Sequence, residues 1–511
     1  MKRLSRRRFL KGAAAGALLA TPLSVLLRAQ AERLRLKADA DHPNIVLLTI
    51  DALRADHLSC YGYPKQTSPN IDRLAAEGVQ FNHAVSTAPW TFPAFCALHT
   101  SMYPTELDIS AFNAPLTDIR RKSLDPLRVT LAETLRGRGY RTQAIVTNPW
   151  LFPEFGLSQG FDGYIEVDRE RAHDYNAIRS DMVIGRLAGH VGPADASLRA
   201  LYEALMGPAG RQVWAVPADR VTAEVLGWLD ANHQERFFLW IHYIDPHYPF
   251  SPPAAYRPSL PGISDERLDY LGSYNEEDVY TGRARLRPVD RDAIVALYDG
   301  EIRYVDHYVG QVLNRLDDLG LRDNTVLTVS ADHGDEFWEH GGYQHGHSLY
   351  NELLHVPLII RGPRDFQSPR QIDAVVRHVD LAPTLAEVAG VSFHADARGA
   401  SLLPLLRGDD QLRRVAFSEG LFLTSEKKAI CNGDQKLIYD PFSGASELYD
   451  LRADPRELDN RAARDRATAN ALKQQLAAWQ AATEATFAAL PRSIQAAGDQ
   501  ALIDALRAGG Y

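Results

Sequence analysis

At 511 residues, with 45% hydrophobic and 24% charged side chains, the chain can bury a large core as one big domain with an appendage, or as two to three domains. Its formal charge of −9 excludes nucleic-acid binding by broad phosphate neutralisation. No internal apolar run reaches the roughly 20 residues needed to span a bilayer.

The N-terminus reads as an address and not as part of the fold. Ser5-Arg6-Arg7-Arg8-Phe9-Leu10-Lys11 precedes a weakly apolar stretch, Gly12 to Leu27, and Ala29-Gln30-Ala31 offers small residues for cleavage. Paired arginines before Phe-Leu-Lys resemble a bacterial twin-arginine signal over residues 1–31, which implies the twin-arginine export machinery as a partner and a periplasmic or secreted destination. A basic membrane anchor or an unstructured tail is the plainer alternative. Removing residues 1–31 takes seven cationic side chains and no anionic ones, so the charge moves from −9 to −16. An anionic substrate then has to be held by local charge, most economically a metal ion. Cys60, Cys96 and Cys431 are too few for a disulfide framework and read as small buried apolar residues.

Asn44–Ile50 is a continuous apolar run ending at Asp51, the pattern of a strand buried on both faces of a parallel sheet. Similar runs fall at Gln143–Val146, Phe237–Ile241, Val326–Val329 and Val356–Ile360, with helical periodicity between them at Val129–Arg136 and Ala293–Leu319. Alternating strands and helices predict an α/β fold with a mainly parallel sheet, and its ligand site lies beyond the carboxyl ends of the strands. Arg171–Pro217 is less regular, and Ser251–Arg287 is rich in Pro, Tyr and charge; both read as loops or insertions at the mouth of the site. After Asp409 the character changes. Short strands are predicted at Val415–Glu419, Lys428–Cys431 and Lys436–Tyr439, then a helix at Ala463–Ala489. The division is a main domain over 42–409 and a small α+β subdomain with a helical tail over 410–511.

The segment richest in chemistry is Ser330-Ala331-Asp332-His333-Gly334-Asp335-Glu336, continuing to His345-Gly346-His347. Adjacent Asp and His at a strand end can turn toward one cation, and carboxylate with imidazole suits Zn or Mn better than Ca. Asp51 also ends a strand, although a lone Asp there is often only a helix cap. Thr91, two residues before Pro93, reads as a helix start. A helix N-terminus favours anions, so a hydroxyl there is either a simple cap or a nucleophile facing a bound oxyanion.

Several stretches together resemble the sulfatase family of the alkaline phosphatase superfamily. They are Asn44–Asp56, Ser68–Pro104, Tyr298–Ile302 with Asp306, Ser330–Pro363, His378–Leu385, and Glu447–Leu451 with Asp454-Pro455. The resemblance implies an alkaline phosphatase-like α/β sheet with a small C-terminal subdomain. It implies a metal site at Asp51, Asp332 and His333; with Thr91 completing the shell, these would hold one divalent ion, which the donor types make Zn or Mn before Ca. Thr91 would stand at the nucleophile position, and His247 and His345 beside the substrate. His242 and His347 are weaker, structural candidates.

The chain also departs from the family pattern. Where a typical sulfatase has Cys-x-Pro-Ser-Arg, whose Cys (or Ser) becomes formylglycine, this sequence has Thr91-Phe92-Pro93-Ala94-Phe95. Thr cannot form that aldehyde, Phe95 replaces the Arg, Cys96 lies in no equivalent motif, and Ala52 replaces a second Asp. Three readings follow: hydrolysis of a small-molecule, glycan or lipid sulfate or phosphate ester; transfer of a phospho-headgroup, or phosphodiester cleavage; or a binding protein that kept the scaffold.

Overall fold

The computed structural model describes residues 42–109, 123–169, 216–274, 286–362, 366, 368–409, 414–420 and 426–493. Residues 1–31, read above as a signal, and most of 171–217 lie outside the described residues. So does the segment 410–413 next to the expected division at 409.

The apolar runs become the centre of one sheet. Strands β1 (Asn44–Ile50), β2 (Val79–Val85), β3 (Arg141–Val146), β4 (Gly163–Glu166), β5 (Phe237–Tyr243) and β6 (Thr325–Ala331) alternate with helices. A two-stranded hairpin, β7 (Glu336–Phe337) with β8 (Tyr343–Gln344), interrupts the series before β9 (His355–Val356), β10 (Leu358–Arg361) and β11 (Arg370–Arg377). The main sheet runs β11-β2-β10-β6-β1-β5-β3-β4, with β9 also on β2. β1 pairs in parallel with both β5 and β6, and these three strands are buried along their whole length. Each buried Val, Leu or Ile there contributes about 1.5–3 kcal/mol of transfer free energy.

β10 is antiparallel to both its neighbours, so the sheet is mixed but mainly parallel. The single strand expected over Val356–Ile360 is divided at Pro357, which has no N–H to give a neighbour. The helix expected at Ala293–Leu319 spans Pro288–Asp318, opened by a proline whose missing N–H costs nothing in a first turn. The span read as loop after Ser251 contains a helix, Asp265–Gly272, because the Ser264 side chain caps the Arg267 N–H. β2 and β11 escaped notice because polar residues break up their apolar pattern.

In the C-terminal part β12 (Val415–Ser418), β13 (Lys428–Asn432), β14 (Gln435–Tyr439) and β15 (Ser446–Asp450) form an antiparallel sheet. One face packs Ile430, Leu437 and Leu448 against Ala469, Leu472 and Leu476 of the helix Arg466–Ala489. Its loops also support the site. The buried carboxylate of Glu419 accepts hydrogen bonds from Thr105 N and Oγ1, and Gly420 O accepts from the Trp90 indole at 2.6 Å. No helix among the described residues is long and apolar enough to cross a membrane.

Candidate active site

β1, β6 and β3 end side by side or one strand apart, and the chain beyond each end supplies the site. Asp51 follows β1, Asp332-His333 follow β6, and Asn148 follows β3. The fourth contributor is the buried helix Thr91–Thr100, whose first residue is Thr91. Trp90 is its extended N-cap. The helix therefore points free N–H groups and the Thr91 hydroxyl toward the strand ends.

Asp51, Asp332 and His333 each offer a ligand atom within 4.8 Å of the others, and all three are buried. His333 Nδ1–H donates to the Gly334 carbonyl at 3.0 Å, which leaves the Nε2 lone pair directed into the group. That Nε2 lies 3.3 Å from Asp332 Oδ2, 3.7 Å from Asp51 Oδ1 and 3.4 Å from Thr91 Oγ1. The hydroxyl thus sits within reach of the same centre. The other oxygen of each carboxylate is occupied: Asp332 Oδ1 accepts from Ala52 N at 3.2 Å, and Asp51 Oδ2 accepts from Asn148 Nδ2 at 2.6 Å.

Asp51 Oδ1 and Asp332 Oδ2 are buried with no hydrogen-bond partner. Buried carboxylate oxygens are rarely left so. Burial and the neighbouring Asp51 charge push the Asp332 carboxyl well above the usual range. For Asp51, burial opposes ionisation, but the charges of His247, His242 and His333 and the His242 hydrogen bond outweigh it and hold the carboxyl low. Burial and nearby His345 push the His333 imidazole down to about 3, so its lone pair is free at neutral pH. Two orphaned carboxylate oxygens and a bare imidazole nitrogen around one point form a donor set that fits a divalent cation.

Asn148 was not singled out from the sequence. Its Oδ1 accepts the Trp150 N–H at 2.9 Å, which fixes the amide so that Nδ2 faces Asp51 and stands 3.4 Å from Thr91 Oγ1. The signal was available: Asn148 lies two residues past a buried strand, at the edge where the ligand site is expected.

The two histidines expected beside the substrate also converge. His345 Nδ1–H donates to Asp335 Oδ1 at 2.7 Å, and its ring lies 4.3 Å from His333 and 5.0 Å from His247. His247 Nδ1–H donates to the Tyr248 carbonyl at 2.6 Å. His333, Asp335 and His345 make a second possible ligand group, sharing His333 with the first. His242 lies behind the site, with Nδ1 on Thr49 Oγ1 and Nε2 3.2 Å from Asp51 Oδ2. His347 pairs with Glu336 in the hairpin.

The departures from the expected motif have structural places. Phe95 packs edge-on against His242 with centroids 5.0 Å apart and tilts onto Trp240, so an apolar wall stands where the motif arginine would be. Ala52 is left-handed at φ 55° and fully buried, and its carbonyl accepts from the Tyr298 hydroxyl. Cys96 is buried in the core.

The family described as Sulfatase matches residues 43–391, and one described as N-sulphoglucosamine sulphohydrolase, C-terminal, matches residues 338–482. The chain is 26% identical over 451 residues to the uncharacterized sulfatase YidJ of Escherichia coli, covering 82% of each. It is 24% identical to an arylsulfatase of Clostridium perfringens, covering 82% of this chain and 90% of that one. Among solved structures, a phosphonate monoester hydrolase of Agrobacterium radiobacter aligns with a TM-score of 0.65 at 23% identity, covering 86% of this chain and 96% of the other. A 2-O GAG sulfatase aligns at 0.66 with 20% identity, covering 88% and 95%. The match over residues 43–391 spans well over half the sequence, and the chain belongs to the sulfatase family.

Proposed function

We propose that this protein hydrolyses sulfate or phosphate esters with Thr91 as nucleophile, and that phosphoryl esters are its better substrates. The observation that supports this reading most is the Thr91 hydroxyl at a helix N-terminus, 3.4 Å from both His333 Nε2 and Asn148 Nδ2.

Asp51, Asp332, His333 and Thr91 would hold one divalent cation, whose charge would lower the hydroxyl pKa and neutralise the substrate's non-bridging oxygens. Thr91 Oγ, its hydroxyl proton already lost to solvent, would form the new bond to phosphorus or sulfur as the ester P–O or S–O bond breaks, and would leave again as the alkoxide. The leaving alcohol takes a proton from the imidazole of His345 or His247. Water then attacks the covalent ester, gives its proton back to that imidazole and releases Thr91. Asn148 holds Asp51 and the hydroxyl in line, and the free N–H groups of the helix Thr91–Thr100 face the oxyanion. Phosphoryl transfer is favoured because water can displace a phosphoryl group from Thr. The formylglycine route that expels sulfate has no counterpart on this side chain.

The test is a panel of p-nitrophenyl phosphate, bis-p-nitrophenyl phosphate and p-nitrophenyl sulfate, with zinc, manganese or chelator. Thr91→Ala should lower the preferred, metal-dependent activity by at least about 10³-fold, as loss of a nucleophile does. Full turnover in Thr91→Ala would refute the mechanism. No metal-dependent turnover of any of the three would instead favour a binding role. Export is part of the proposal: Arg6→Lys with Arg7→Lys should leave the unprocessed protein in the cytoplasm of a bacterial host.

A further inference from the structure

A second cluster of ligand atoms lies behind the catalytic loop. His340 stands in the turn of the β7–β8 hairpin, Glu352 in the short helix Asn351–Leu354, and Glu457 in the loop before the C-terminal helix. Each offers one donor atom, and the three donors lie within 4.8 Å of one another.

The wiring around them is specific. Glu457 is left-handed at φ 54° and only 1% exposed, its carboxylate carried into the main body. Its Oε2 accepts the Asn351 N–H at 2.6 Å, and its Oε1 lies 2.8 Å from Lys436 Nζ. The His340 ring lies flat on Tyr350, with centroids 3.6 Å apart. Glu352 is 6% exposed, and its Oε2 is buried without a hydrogen bond, as is His340 Nε2. These two atoms face each other at 3.7 Å. That is long for a hydrogen bond, but close to the roughly 3.3–3.6 Å edge of a tetrahedron built on Zn–N and Zn–O bonds of about 2.0–2.2 Å. Lys436 neutralises one of the two buried carboxylates, and the His340 ring faces the other.

We propose that His340, Glu352 and Glu457 bind a second divalent cation, of the zinc class, which pins the β7–β8 hairpin and the Asn351–Leu354 helix to the C-terminal subdomain. One imidazole and two carboxylates suit zinc, and three protein ligands leave a position for water. The position matters for the active site. Gly334 N–H donates to the Leu353 carbonyl at 3.0 Å, and a Cβ on Gly334 would meet the Glu352 carbonyl at 2.1 Å, so this helix backs directly onto the Asp332–Asp335 loop. The proposal does not depend on the catalytic reading, since it shares no residue with it.

The mature full-length protein, stripped of metal, reloaded with zinc and dialysed, would be assayed for zinc per chain by mass spectrometry. His340→Gln and Glu352→Gln should each remove one equivalent relative to wild type, leave hydrolysis of the preferred ester in place, and lose part of the zinc-dependent rise in Tm. Asp332→Asn should keep that equivalent, and the double variant Asp332→Asn with His340→Gln should lose it. Circular dichroism checks folding, and the Gln at 352 preserves shape if the change at 340 does not fold. Zinc content unchanged in both single variants would overturn the proposal and leave a plain His340–Glu352 ion pair. Failure of the catalytic reading would appear separately, as no zinc lost in Asp332→Asn.

Discussion

Asn148 and Asp51 are bound to each other by a 2.6 Å hydrogen bond, 97 residues apart in sequence. The amide takes one carboxylate oxygen and leaves the other, Oδ1, without a partner and facing His333. A neutral donor thus orients the carboxylate without competing for its free oxygen. Asn148→Ser keeps a cap for the Trp150 N–H but cannot reach Asp51. It should lower kcat/KM by about 10–100-fold, the usual cost of losing a partner behind a ligand, with little change in Tm. Asn148→Ala should lose similar activity and about 1 kcal/mol of stability besides, because the cap goes too. Steady-state kinetics and thermal melts of the two variants separate orientation from folding.

Asp332 carries an opposite signature in the presence and absence of metal. Its Oδ2 is buried and unpartnered beside Asp51, a cost that Asp332→Asn removes. The metal-free variant should therefore be at least as stable as metal-free wild type at neutral pH. Its metal-dependent hydrolysis should need more than about 100-fold higher zinc or manganese, because a ligand is lost and not merely its support. Denaturant titration of the stripped proteins and activity against free metal concentration measure the two effects.

His345 and Asp335 form a dyad with the proton fixed on Nδ1. If the imidazole protonates the leaving group, its value depends on how badly that group needs a proton. His345→Gln should slow an alkyl ester by about 10²–10⁴-fold, and a p-nitrophenyl ester, whose phenolate leaves unaided, by much less. Equal losses on the two esters would assign His345 to oxyanion binding. Asp335→Asn should reproduce the same bias more weakly.

His99 gives a pH prediction away from any metal. It is buried against Trp240, with centroids 4.3 Å apart, and burial pushes its imidazole from 6.5 down to about 3. Between those values the unfolded chain takes up a proton that the folded chain refuses, so stability falls as pH drops from about 6.5 toward 3, by about 1.4 kcal/mol per pH unit. His99→Phe should flatten the acid side of the stability curve by that slope. Urea unfolding at several pH values between 4 and 7 reads the slope directly, whatever the change does to absolute stability.

Much of this was legible in the sequence because the α/β sheet is written locally. A strand buried on both faces must be apolar throughout, as Asn44–Ile50 and Val326–Val329 are, and the polar residue that ends it stands at the binding edge. That rule pointed to Asp332-His333 and left Asp51 open between ligand and helix cap until the family resemblance decided it. Half-polar strands such as Val79–Val85 and Arg370–Arg377 carry no such mark, since their pairing is set by neighbours distant in sequence. The family resemblance supplied what residue pattern could not, that Thr91 belongs with His333, 242 positions away.

Tertiary structure alone decided the company each side chain keeps. The tautomer of His333 follows from the Gly334 carbonyl, the free oxygen of Asp51 from Asn148, and the dyad partner of His345 from Asp335. Phe95 as a wall behind His242, and Glu457 reaching in from the C-terminal loop to His340 and Glu352, were equally unreadable from the chain. The physical reason is range: apolar patterning acts over a few residues, whereas hydrogen-bond and charge satisfaction is settled only when segments hundreds of residues apart are brought together and water is excluded between them.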